Sequence, residues 1–354
     1  MLIYACISSH GFGHGSRSVA VLQQLARLRP EWRLVLSTGL PRSFLTLAFG
    51  DGGFEQRSCR WDVGVVQANA LEVDPQATLR QLEALDASLP NQIEAELAWL
   101  ERQGLPVLVL ADVPPAAALI AARLGAPLVW LASFGWDAIY ASMGPELAGR
   151  GQDARALYGQ GDLLLRCPLS LPMDWGLPVQ PIGLTNSEPR PLAAAVLAQL
   201  ALPAERDRCV LISFGGLGLS LDPALLARWP EHVFIGSDPA LAEAANGRLL
   251  PAGLRPLDLM PHAGRLITKA GYSSFCEAFS QGVGIHLVER QGFAEAPVLA
   301  EALQNHGRHR LLSRRQLDCG EWQLDQPLLD ARLGPLPTGG AEAAALALAA
   351  LRGS

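Results

Sequence analysis

Leu2-Ile3-Tyr4-Ala5-Cys6-Ile7-Ser8-Ser9-His10-Gly11-Phe12-Gly13-His14-Gly15-Ser16-Arg17 opens the chain with an apolar run that breaks into a turn rich in glycine and histidine. An apolar run without alternation reads as a strand covered on both faces, as in parallel sheets flanked by helices. Residues 16–28 then carry helical spacing. Strand, glycine turn and helix make up the opening of a βαβ unit, and the turn falls on the carboxyl edge of the sheet, where α/β proteins place ligands. Glycines let a ligand approach the backbone, and the helix N-terminus beyond favours negative charge. A dinucleotide-binding domain ends its second strand on an acidic residue, whereas residues 33–38 lead into Ser37-Thr38-Gly39, which disfavours a dehydrogenase.

The same grammar extends outward from this stretch. Residues 2–8, 33–38, 106–112 and 127–133 read as buried strands, and 16–28, 76–103 (broken at Pro90) and 115–124 as helices. The stretch 167–191 holds six prolines and no periodicity, which marks a linker. Beyond it the pattern restarts with strands at 209–214, 232–236, 265–269 and 285–289 and helices at 273–281, 295–304 and 341–351. The expected class is α/β, with two doubly wound Rossmann-like domains facing across a cleft. Domain bounds of 1–170 and 192–354 with a linker at 171–191 follow, and the last helix is free to pack back on the first domain.

Composition narrows the function. With 28 basic and 34 acidic residues the net charge is −6, a poor surface for neutralising nucleic-acid phosphates. No apolar run approaches the ~20 residues of a bilayer span, so no integral membrane segment is expected. No basic stretch precedes residue 2, so no secretory leader is expected. Six scattered cysteines without a CxxC pair suit reduced thiols in the cytoplasm. Lys269 is the single lysine among 27 arginines.

Several residues stand where chemistry would need them. His10 and His14 share the first turn, and imidazole is the commonest general base near neutral pH; a loop histidine is otherwise structural or solvated. Asp112 ends the strand 107–112; it is either the N-cap of the helix near Pro115 or a carboxylate that hydrogen-bonds the imidazole from the neighbouring strand end. In the second half, Lys269-Ala270-Gly271-Tyr272-Ser273-Ser274 is again strand, glycine turn and helix start. Ser273 is the expected cap, and free N–H groups there suit a pyrophosphate beside Lys269. Glu277, one turn on, is either a capping-box acid or a ligand for a ribose diol. Ser213-Phe214-Gly215-Gly216 forms a further glycine turn on the same rim. Trp136 and Asp137 offer an aromatic platform beside a carboxylate on the acceptor side, although a buried tryptophan is the commoner case. No D-x-D and no HExxH occur, so neither a carboxylate-held divalent metal nor zinc catalysis is expected.

These blocks resemble GT-B glycosyltransferases. More narrowly, the chain is similar to the glycosyltransferase-like N-terminal region of plant L-arabinokinases and its stand-alone bacterial relatives, through H-G-F-G-H at 10–14, V-Q-A-N-A-L-x-V-D at 66–74, S-F-G-W-D-A-I-Y at 133–140, K-A-G-Y-S-S at 269–274 and R-Q-G-F-A-E-A-P at 290–297. The resemblance implies a GT-B fold, His14 as general base with Asp112 as its partner, Gly13 and His10 beside the acceptor, Gly271, Ser273 and Ser274 as the diphosphate turn, and Glu277 on the ribose. It also implies donor contacts from Arg290 and from Glu295, whose neighbours Ala294 and Ala296 replace the glutamine of plant enzymes. Tyr272 stands where those enzymes carry tryptophan. The activity implied is inverting transfer of a hexosyl or pentosyl group from a nucleoside-diphosphate sugar, UDP-sugar favoured, to a small-molecule, lipid or protein acceptor, with no metal or other cofactor. A nucleotide-sugar sensor or scaffold and a sugar-nucleotide epimerase are the alternatives.

Overall fold

Where a parallel sheet is wound outward in both directions from its middle, the two strands at the reversal leave a crevice between their carboxyl ends. This protein has two such crevices, and they face each other. The computed structural model describes residues 1–50, 53–69, 72–215, 221–289 and 293–351. The first half runs β1 (Leu2–Ile7), α1 (Phe12–Leu28), β2 (Arg33–Ser37), α2 (Arg42–Phe49) and β3 (Glu55–Arg57), then a short antiparallel pair, β4 (Gln67–Asn69) and β5 (Glu72–Val73). It continues with α3 (Pro75–Gln103), β6 (Val107–Asp112), α4 (Ala117–Leu124), β7 (Leu128–Ala132), α5 (Trp136–Ala141), α6 (Pro145–Tyr158), β8 (Leu163–Arg166) and β9 (Val179–Pro181). The seven-stranded parallel sheet has the order β3-β2-β1-β6-β7-β8-β9, so its reversal lies between β1 and β6. Register pairs Ile7 with Asp112 at that point.

The second half comprises α7 (Ala194–Leu200), β10 (Cys209–Ile212), β11 (Val233–Gly236), β12 (Gly247–Leu249), α8 (Pro256–Leu259), β13 (Arg265–Lys269), α9 (Tyr272–Ser280), β14 (Gly284–Val288), α10 (Glu295–His306), β15 (His309–Leu312), α11 (Arg314–Asp318) and α12 (Gly340–Ala350). Its six-stranded parallel sheet, β12-β11-β10-β13-β14-β15, reverses between β10 and β13. The architecture is therefore GT-B-like, with two doubly wound lobes. The chain returns through a close crossing in which Leu184 N–H donates to the Pro337 carbonyl at 2.7 Å, and α12 packs on α1 of the first lobe. A Cβ on Gly183 would stand 2.5 Å from the Thr338 carbonyl oxygen, so that crossing demands glycine.

Four expectations change. Residues 76–103 are one unbroken helix, because Leu82, Leu85, Ile93, Leu97 and Leu100 form a continuous buried face while Pro90 sits on the exposed side. The supposed linker contributes β9 to the first sheet, so the sheet reaches further along the chain than residue 170. Helix α1 begins at Phe12 and α9 at Tyr272, each earlier than the sequence pattern suggested, so Gly13, His14 and Ser273 belong to first helical turns.

Candidate active site

The cleft between the lobes has a volume of 980 Å³ and is lined from both sides, by His10, Gly13, His14 and Arg17 on one and by Gly215, Lys269, Gly271, Ser273 and Glu277 on the other. The two turns touch: the Ser273 hydroxyl donates to the Gly13 carbonyl at 2.8 Å.

On the first lobe, Gly11 caps α1 in an extended conformation without a side-chain bond, and the helix starts at once with Phe12. Gly15 is there for packing, since a Cβ would lie 2.6 Å from both Leu40 and Phe44. The early start puts His14 and Arg17 one turn apart on the same face. Both reach Asp112 at the end of β6. His14 Nδ1 lies 2.8 Å from Asp112 Oδ1, Arg17 Nε donates to Oδ2 at 3.0 Å, Arg17 Nη2 donates to Oδ1, and the Ser18 hydroxyl donates to Oδ2 at 2.8 Å. Asp112 is thus not the cap of α4, which begins beyond Ala116 with no side-chain cap at all. Burial pushes the Asp112 carboxyl up, but the Arg17 charge and the bonds from His14 and Arg17 outweigh it and bring it to about 2. Arg17 is only 2% exposed, and its charge survives burial because Asp112 compensates it.

Arg17 also reaches the second lobe. Its Nη1 donates to the Ser133 hydroxyl at 2.9 Å, which donates to Glu295 Oε1 at 3.2 Å, and its guanidinium lies 4.9 Å from the centre of the Tyr272 ring. Glu295 opens α10 and is buried there.

The donor-side residues gather at the second reversal. Gly271 caps α9 in extended conformation with no side-chain cap bond, so neither Ser273 nor Ser274 is the cap, and Tyr272, Ser273 and Ser274 of the first turn line the cleft. Glu277 is consequently not a capping-box acid. Burial pushes its carboxyl up to about 7, Arg255 opposing and Asp258 adding to the shift. Gly215 adopts φ +77, a conformation that favours glycine, and Lys269 ends β13 beside it. Gly216 and Arg290 lie outside the described residues. Asp258 is held well below the usual carboxylate range: burial raises it, but bonds from Arg255 and Arg190 win, which anchors the start of the second lobe under the site.

The acceptor side differs from expectation. Trp136 and Asp137 do not line the cleft. Trp136 is fully buried, its indole donating to Asp62 at 2.8 Å, and Asp137 accepts from the Trp175 indole at 3.0 Å. Both stand behind the cleft wall because α5 turns inward against α6. His10 remains at the surface of the cleft, edge-on to Trp136 with ring centres 5.3 Å apart. Phe12 and Phe44 stack at 4.5 Å in the same wall. Residues not foreseen are Arg17, Ser18 and Ser133. The signal for Arg17 was its i, i+3 relation to His14, hidden as long as the helix was started at residue 16. Among the described residues, no three His, Cys, Asp or Glu side chains gather as metal ligands would.

Comparison with known proteins agrees with this architecture. No protein-family model matches the chain. Over 326 residues it is 28% identical to the L-arabinokinase of Arabidopsis thaliana, covering 89% of this chain and 31% of that protein. The chain therefore spans about a third of the length of the curated relative it matches. Among solved structures, Arabidopsis thaliana UGT89C1 complexed with UDP-L-rhamnose superposes with a TM-score of 0.62 at 14% identity, covering 92% of this chain and 89% of that one. A UDP-glucosyltransferase from Polygonum tinctorium capable of glucosylating indoxyl gives 0.61 at 14% identity, covering 92% and 88%. At such identities the likeness establishes the fold, which is GT-B.

Proposed function

We propose that the chain transfers a sugar from a nucleoside-diphosphate sugar, UDP-sugar favoured, to an acceptor hydroxyl, with inversion and without a metal. The observation that carries this reading is the facing of His14, with its Asp112 contact, against the Gly271–Ser273 turn across one cleft. That the similar structures include one complexed with UDP-L-rhamnose and a UDP-glucosyltransferase supports the donor class. In the reaction His14 takes the proton of the acceptor hydroxyl as its oxygen attacks the anomeric carbon. The bond from that carbon to the diphosphate breaks, and the departing charge falls on the α9 N–H groups and Lys269. Glu277 and Gly215 line the nucleotide side and Glu295 the sugar side. Small-molecule, lipid and protein acceptors all present the required hydroxyl.

The test pairs binding with turnover. UDP and UDP-sugars at a hundred times their Kd should each add ~2.7 kcal/mol of stability in a thermal-shift assay. The His14→Ala variant should keep that shift and lose ~10²–10⁴-fold in rate, with a chelator leaving the wild-type rate unchanged. Binding without turnover against any hydroxyl would mark a sensor, and release of an epimer without acceptor would mark an epimerase; either result overturns the transfer reading.

A further inference from the structure

The charges around His14 do not add up to a simple base and acid. Asp112 is matched one to one by the buried Arg17, whose Nε and Nη2 span both carboxylate oxygens, and Ser18 takes a further acceptor site. His14 shares Oδ1 with Arg17, whose Nη2 lies only 3.4 Å from His14 Nδ1. Were His14 to take a second proton, two cations would crowd one anion at a site where His14 is 8% exposed. At such separations and in a lowered dielectric that repulsion is substantial.

We propose, on the reading of His14 as the base, that Arg17 is a positioning residue: it neutralises Asp112, so that the carboxylate orients the imidazole without drawing a second proton onto it, and it links this state to the donor lobe through Ser133 and Tyr272. The other groups facing His14 do not substitute for it. Asp112 is the carboxylate in contact, and Asp62, in the loop after β3, is already engaged by Ser8 and the Trp136 indole. His10 precedes α1 and packs against Trp136. Glu295 of α10 reaches this cluster through the Ser133 hydroxyl, and Tyr272 of α9 through the guanidinium face. Lys269 lines the far side of the same cleft. Arg17 is the group that touches the base, its carboxylate and Tyr272 of the donor lobe, and it reaches Glu295 through Ser133. A base that stays bare while its partner is fully ionised is ready for the acceptor proton before the donor arrives.

The test reads the ring itself and needs no turnover. Full-length protein labelled with ¹⁵N-histidine, with His14 assigned by comparison with a His14→Asn variant, is examined by long-range nitrogen–proton spectra at neutral pH. Wild type should show a neutral ring with its proton on Nδ1. Arg17→Gln should raise the imidazolium fraction of His14 by about tenfold, while Arg17→Lys, which keeps the charge, should stay near wild type. An unchanged fraction in a folded Arg17→Gln variant overturns the proposal. So does a doubly protonated His14 in wild type, a result that stands even if the glutamine variant fails to fold. Absence of sugar transfer would leave these spectra readable, so the two readings fail separately.

Discussion

The two lobes meet the cleft with the same device used for opposite purposes. In each, the central strand ends, an extended glycine (Gly11 at φ −178°, Gly271 at φ −159°) caps the next helix, and an aromatic residue, Phe12 or Tyr272, begins it. Neither helix has a side-chain cap. The first turn of α1 is filled from within: its face carries His14 and Arg17, and Asp112 accepts from both and from Ser18. The first turn of α9 carries small residues, Ser273 and Ser274, and leaves its N–H groups to the cleft. One helix start is therefore organised around an internal charge pair, the other is left to receive charge from outside. Electrostatic stabilisation of a reaction works best when the dipoles are fixed beforehand, and on the proposed reading this division sets fixed charge where a proton would be taken and open donors where an anion would leave.

The strongest way to break that contrast is at the shared carboxylate. Asp112→Ala leaves Arg17 as an unpaired buried cation, and the expected loss is ~3–5 kcal/mol of folding stability, measured by urea denaturation at neutral pH. A loss below ~1 kcal/mol, typical of an exposed ion pair, would mean the first turn is no more internally charged than the second.

The second lobe should respond to pH in the other sense. Glu277 is raised from 4.5 to about 7 by burial, so between these values the folded state binds more protons than the unfolded one, and stability falls as pH rises through that window. Asp112, brought down to about 2, acts oppositely, and its contribution is lost only as the medium is acidified below the ordinary carboxylate range. The Glu277→Gln variant should flatten the stability curve between 4.5 and about 7 and be the more stable protein at alkaline pH, by ~1–3 kcal/mol. Thermal melts of both proteins across pH read this directly. Parallel curves would remove Glu277 as the origin of the slope.

The doubly wound class was legible because covered parallel strands are written as unbroken runs, such as Val107-Leu108-Val109-Leu110-Ala111, whose residues show no competing periodicity. The His14–Asp112 contact was legible because neighbouring strand ends of a parallel sheet share one rim, and the Gly271 turn because strand, glycine and helix start recur after β13. Helix starts were not. Gly11 and Gly271 read as loop residues, but an extended glycine serves as a cap, and the misplaced start at residue 16 hid the spacing that joins His14 to Arg17. Trp136 and Asp137 were misplaced for another reason: adjacency to a strand end fixes a residue near the rim but not the direction in which α5 turns its side chains. The Ser133–Glu295 contact joins residues 162 positions apart and had no local signature.

The finest test concerns the contact where the two turns meet. Ser273 donates to the Gly13 carbonyl at 2.8 Å, so a hydroxyl on the turn left open for an anion is engaged by the opposite lobe. A diphosphate that recruits this hydroxyl must first release it, exchanging one hydrogen bond for another. Ser273→Ala should thus cost only ~0.5–1.5 kcal/mol of stability in the free protein, the range of a single neutral hydrogen bond. Its effect on UDP affinity by calorimetry should be smaller than loss of a phosphate contact alone, because the variant no longer pays to break the Gly13 bond. Gly13→Ala probes the same spot from the other side: the new Cβ would sit 3.3 Å from the Ser273 Oγ, pressing the turns apart without removing the donor. If amide exchange at residues 8–14 quickens in both variants, the turns communicate through this bond. If it quickens in neither, the lobes are held together by their other contacts, among them Arg17 on Tyr272, Ser133 on Glu295 and α12 on α1, and the open turn is independent of the charged one.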